Sequence, residues 1–175
     1  MKKKDALAIT RVSVPWIAIS DVVEINDVRL LNITAEAPQH HDGSPLNVQC
    51  SVNDVSTSRT DDGKAIIVKA AFEVTGRQGE SAAAKPILKI AAIFLAIYSL
   101  PAECIFKPEA LDAFGKTNGV FNIWPYWREL LQSITTRMGL PPLTLSVFRI
   151  PSDQRDVRRL QKIQENPPPE NQKSK

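Results

Sequence analysis

The stretch from Phe121 to Leu145 constrains this chain more than any other. Pro125 suits the first position of a helix, where its missing N–H has no partner to lose. Gly139 stands where a helix gives way to a left-handed residue, and Arg137 falls in the last turn, against the negative end of the dipole. At about 100° per residue, Ile123, Trp124, Trp127, Leu130, Leu131, Ile134 and Met138 share one arc of roughly 120°. Arg128, Glu129, Gln132, Ser133, Thr135 and Thr136 occupy the rest. A helix this apolar on one side has to dock on a broad partner.

The segments before it supply one. Val28 to Ala35 reads as a strand stopped by Pro38, and Leu46 to Asn53 alternates, with Leu46, Val48, Cys50 and Val52 on one face. Thr60-Asp61-Asp62-Gly63-Lys64 has hairpin-turn chemistry. The return strand, Ile66 to Thr75, puts Ile66, Val68, Ala70, Phe72 and Val74 on one face. Gly76 to Gly79 is the next turn. Ile87 to Leu100 is a long strand, apolar on both faces over its second half, which predicts cover on both sides there. Four strands joined by short turns predict an antiparallel meander.

Pro108 to Phe114 predicts a short helix ending at Gly115, with Lys116 to Gly119 as a loop. Beyond Ile150, Ser152 is an N-cap candidate for a helix over 153–166 with a narrow stripe of Val157, Leu160 and Ile163. Pro167-Pro168-Pro169 ends it. Near the start, Pro15 to Ile19 reads as a helical turn or a strand, with Trp16 packed on the body. The expected organisation is an extension over 1–27, one domain over 28–166 and a disordered tail over 167–175.

Composition narrows the function classes. The chain has 175 residues, 43% hydrophobic and 23% charged, with a formal net charge of +3, which suits one globular domain. The basic residues cluster at the ends: Lys2, Lys3 and Lys4 open the chain, and residues 151–175 carry six basic and four acidic side chains. Such ends solvate rather than imply nucleic acid. Asp5, Arg11 and Asp21 interrupt any secretory leader, so a cytoplasmic chain is expected. Cys50 and Cys104 lack metal-knuckle or redox spacing, and buried thiols fit better than a disulfide.

Candidate chemistry fails on context. Ala110 to Thr117 satisfies the relaxed phosphate-loop pattern, but Pro108 starts a helix before it and Asn118-Gly119 follow, with no strand leading in. His40-His41-Asp42 lacks a further histidine for a metal site, and two adjacent histidines make no triad. A hairpin turn accounts for Asp61 and Asp62. No enzyme, cofactor or metal is expected.

The same organising stretch carries a resemblance. Pro125-Tyr126-Trp127-Arg128-Glu129, Arg137-Met138-Gly139 and Pro141-Pro142-Leu143-Thr144-Leu145 resemble the SecB family of bacterial export chaperones and their toxin–antitoxin-linked relatives, in which a Pro-Tyr-x-Arg-Glu helix ends near a glycine before Pro-x-Leu-x-Leu. The likeness covers roughly Val28 to Ile150 and is specific from Phe121 to Leu145. It implies an α+β fold: a four-stranded antiparallel β-meander, a long helix, a crossover loop and a C-terminal helix. It further implies dimers of dimers and grooves that hold unfolded polypeptide. By position, the groove strand is similar at Val48, Cys50 and Val52, the crossover loop at Pro141, Pro142, Leu143 and Leu145, and the oligomer-packing helix at Trp124, Trp127, Leu131, Ile134 and Met138.

Two departures bear on partners. Family members dock the SecA motor through acidic residues, and the matching positions here are Leu31 and Lys89. The family's acidic tail is replaced by a mixed one. The expected function is therefore an ATP-independent holdase, with either secretory precursors or a dedicated antitoxin as client. The alternative is a non-catalytic oligomeric scaffold whose apolar sheet face is only a subunit interface. Small-molecule binding lacks convergent polar groups.

Overall fold

The computed structural model describes residues 16–38, 44–78, 86–101 and 104–149. The His40-His41-Asp42 loop, Gly79 and the expected helix over 153–166 lie outside the described residues; Gly76, Arg77 and Gln78, expected to turn, instead continue the strand Ala65–Gln78, paired with Val48, Asn47 and Leu46.

The core begins with two central strands. In β3 (Ala65–Gln78) Ile66, Val68, Ala70, Phe72 and Val74 are at most 1% exposed. In β4 (Leu88–Ser99) Leu88, Ile90, Ala92, Phe94, Ala96 and Tyr98 are equally inward, none above 4%. Direct pairs such as Val68 with Ala96 and Phe72 with Ala92 put both sets on one face. The turn between β2 (Leu46–Arg59) and β3 has the expected chemistry. Gly63 takes φ of 69°, Thr60 Oγ1 donates to Asp62 Oδ1 at 2.6 Å, and the Lys64 N–H donates to the same oxygen at 3.1 Å. Asp62 is thus a turn residue, and these bonds hold its carboxyl below the usual range.

All four strands are antiparallel, in the order β1-β4-β3-β2, where β1 is Glu24–Glu36. The last three form a meander, and β1 lies against β4 at the far edge. The inner face of β4 is buried as expected. Its outer face is not: Ala91, Ile93, Leu95 and Ile97 keep partial exposure. Cover on both sides of β4, expected from its sequence, is therefore absent within the described residues. The polar partners of that row on β1, such as Asp27 opposite Ile97 and Asn32 opposite Ile93, shield it at its margin.

The helical half departs further from expectation. A short α1 (Ile17–Ser20) inserts Ile19 into the core, with Trp16 packed beside it. After β4, α2 (Pro108–Phe114), a π-helical turn (Gly115–Gly119) and α3 (Val120–Arg137) follow without interruption. Gly115 does not end a helix: its φ of −59° is helical, and residues 116–119 are not a loop. The two glycines serve close approach instead. A Cβ on Gly119 would lie 2.7 Å from Val68 Cγ1, and one on Gly115 would overlap the Thr57 hydroxyl. Small size is what lets the π turn, with its wider ring, sit on β2 and β3. Pro125 lies inside α3, where it withholds an N–H from the Phe121 carbonyl, rather than opening the helix. The far end agrees with the sequence. Gly139 is left-handed, at φ 74°.

Candidate functional site

Alternation along β2 puts Leu46, Val48, Cys50 and Val52 on the helix side, opposite Gln78, Gly76, Val74 and Phe72. A bulge at Asn53 shifts the register, and Val55 continues the inner row opposite Ala70. The aromatic side chains of α3 sit further in. The Trp127 ring stacks on Phe72 at 5.6 Å and meets Phe94 edge-on at 6.5 Å, while Trp124 lies 6.1 Å from Phe72. The inner row of β2 is consequently only partly covered: Val48, Cys50 and Val55 are half-buried, and Val52 is 37% exposed.

After Gly139 the chain reverses along α3. Leu140 is buried, Pro141 and Pro142 are exposed, and Leu143 and Leu145 are half-buried, with Thr144 and Ser146 outward. Three α3 side chains fix this strap: Thr135 Oγ1 accepts from the Leu143 N–H at 3.1 Å, Arg128 Nε donates to the Leu145 carbonyl at 2.8 Å, and Trp124 Nε1 donates to the Ser146 carbonyl at 2.8 Å. Phe148 then rests on the Trp124 ring at 5.4 Å.

Strap and β2 bound two openings. One is an apolar cavity of about 210 Å³ whose walls include Pro45, Leu46, Val48, Leu140, Pro142 and Leu143, with Thr135 as a polar wall. The other, of about 340 Å³, lies between Val52 to Val55 and Phe148, with Lys116 and Val120. Cys50 sits on β2 between them. Burial pushes its thiol pKa up, and the Trp127 indole N–H acts in the opposite sense. That N–H has no full hydrogen-bond partner among the described residues; the Cys50 sulfur is the group it acts on.

Of the groove residues expected from sequence, Val48, Pro142 and Leu143 meet in one cavity and Val52 lines the other. Leu145 lies on the strap between them. Among the expected oligomer residues, Trp127 and Leu131 are fully buried in the chain's own core. Their place in the inward stripe of a helix over a sheet is the reason, since that stripe is consumed within the protomer. Trp124, Ile134 and Met138 keep partial exposure. Thr135, Arg128 and Phe148 were missed as site residues. The polar arc gave Thr135 no distinguishing mark, Arg128 stood out only as part of the Pro125 to Glu129 resemblance, and the path of the strap reveals what each holds.

No protein-family model matches the chain. A stretch of 43 residues is 44% identical to the SecB-like chaperone Rv1957 of Mycobacterium tuberculosis H37Rv, and equally to the SecB-like chaperone MT2006 of strain CDC 1551. That stretch spans 25% of this chain and 24% of each relative's length. A solved structure of Rv1957, in complex with a ChAD peptide from the HigA1 antitoxin, superposes with a TM-score of 0.66 over 78% of this chain and 98% of that one, at 24% identity. The fold is SecB-like. The SecB-like fold gives the elements above a common frame: a four-stranded antiparallel sheet backed by a long helix. Gly115-Lys116-Thr117 has no phosphate-loop geometry in that frame. It lies in the π turn, with Lys116 Nζ paired to Asp112 Oδ2 at 2.7 Å and Thr117 Oγ1 donating to the Ala113 carbonyl at 2.6 Å. No cluster of metal-ligating side chains occurs among the described residues, and none of their helices is long and apolar enough to cross a membrane.

Proposed function

We propose that this chain is an ATP-independent, cytoplasmic holdase that keeps extended polypeptide in the groove between β2 and the strap. The observation that carries this reading is the pair of openings at Val48 and Val52, joined by the half-buried inner row of one edge strand. An edge strand also offers main-chain groups on its outer side, so an extended segment meets apolar and backbone contacts together. A dedicated antitoxin is the favoured client, because the similar Rv1957 was solved with an antitoxin peptide. Secretory precursors remain the general alternative.

The same proposal includes a dimer of dimers. Ile25, Leu30 and Ile33 face the helix side of β1 but are 36–47% exposed, an apolar margin that α3 of the same chain does not cover. That margin equally favours the scaffold alternative. Docking to the SecA motor is expected to be weak, since Leu31 is 52% exposed and Lys89 pairs with Glu73 at 3.3 Å instead of presenting acid.

The test is suppression of aggregation of a denatured protein by Val48, Val52, Leu143 and Leu145 variants carrying polar residues of similar size. Loss of holding with melting and oligomer size retained supports the groove. Full holding by correctly assembled variants puts the client elsewhere on the surface, and no holding by the unaltered protein leaves the scaffold reading in its place.

A further inference from the structure

The strap over 140–149 has no regular secondary structure, and its described tethers at Leu143, Leu145 and Ser146 come from α3 side chains. Trp124, Arg128 and Thr135 stand at i, i+4 and i+11, which at about 100° per residue lies within roughly 40° of one line down the helix. They act as a row of hooks. Thr135 is 1% exposed, and its hydroxyl hydrogen is committed to the Leu131 carbonyl at 2.8 Å. Its oxygen is therefore presented to the strap as an acceptor, and the Leu143 N–H takes it.

Resting on the holding function above, we propose that Thr135 and Arg128 are positioning residues for polypeptide recognition: they fix which strap side chains face the groove. The strap alternates, with Leu143 and Leu145 turned in and Thr144 and Ser146 turned out. A slip of one residue in an alternating segment exchanges its two faces. It would line the groove with Thr144 and Ser146 in place of the leucines. The hooks grip residue 143 by its N–H and residue 145 by its carbonyl, and so discriminate between these registers through the strap, Thr135 from the wall of the first opening itself.

The experiment compares Thr135→Val with Thr135→Ser, and Arg128→Met with Arg128→Lys, in the full chain. Two readouts are taken: amide hydrogen exchange at Leu143 in the free protein, and affinity for a carboxymethylated, permanently unfolded globular protein. Losing one net hydrogen bond should weaken client affinity about fivefold and speed exchange at Leu143 in Thr135→Val, while Thr135→Ser restores both. The Arg128 pair should behave alike in affinity and keeps the test decisive if Thr135→Val fails to fold. Faster exchange with unchanged affinity overturns the assignment and leaves the holding function standing. So does a loss that Thr135→Ser does not restore, which would mark a packing effect. Failure of the unaltered protein to bind the unfolded probe overturns the holding function, and the assignment with it.

Discussion

The indole of Trp127 stacks on the phenyl ring of Phe72 with 5.6 Å between centroids and 27° between planes, and neither side chain is more than 1% exposed. This pair joins the middle of α3 to the middle of β3 and sets how far the helix stands from β2. Everything exposed in the groove follows from it, because helix cover centred on β3 and β4 leaves the edge strand half open.

Trp127→Ala should therefore act on the protomer rather than on assembly. Removing a fully buried aromatic typically costs about 3–5 kcal/mol. The expected outcome in denaturant titration is a loss of that order at every protein concentration. A loss confined to dilute samples would return Trp127 to a subunit interface.

Gly119→Ala should destabilise by about 1–3 kcal/mol, because its Cβ would press on Val68 Cγ1 at 2.7 Å. Combining it with Val68→Ala removes the obstructing methyls. Thermal melts should show the double variant losing less than the sum of the two single changes.

High pH should weaken the fold in two steps. Burial raises the pKa of Cys50 above its ordinary 9.0 and that of Tyr98 above its ordinary 10.0, outweighing the Asn122 amide, which donates to the Tyr98 hydroxyl at 3.1 Å and acts in the opposite sense. A folded-state pKa above the unfolded value means that the folded state holds the proton longer. Stability is then full below the unfolded pKa and falls as pH rises through the folded one. Melting midpoints should decline above about pH 9, with the first step absent in Cys50→Ala and the second in Tyr98→Phe.

The sequence reading located the sheet well and the helices less well. Period-two alternation marked Ile66 to Val74 and Val48 to Val52 correctly, because a half-covered sheet imposes that period directly. It could not place β1 beside β4, since strand order depends on a connection, not on a face. Gly115 and Pro125 misled for a physical reason. Both are helix-boundary residues by propensity, yet Gly115 packs closely on Thr57 within a continuous helical run, and Pro125 is accommodated inside α3. Leu143 and Leu145 were singled out through the resemblance, and the structure puts both half-buried on the strap. The hooks that hold them were not, because a hydrogen bond between Thr135 and Leu143 is a fact of chain reversal alone.

The central claim, that polypeptide lies between β2 and the strap, is tested most directly by the two native cysteines. Cys50 lies on β2 between Val48 of one opening and Val52 of the other, while Cys104 precedes α2, away from that strand. Both thiols are partly exposed. Alkylation of each is followed by peptide mass analysis, at mildly alkaline pH to offset the raised Cys50 pKa, with and without a saturating unfolded client. The account predicts that client slows modification of Cys50 severalfold and leaves Cys104 unchanged. Equal rates at Cys50 with and without client, under conditions where the client is bound, would contradict it.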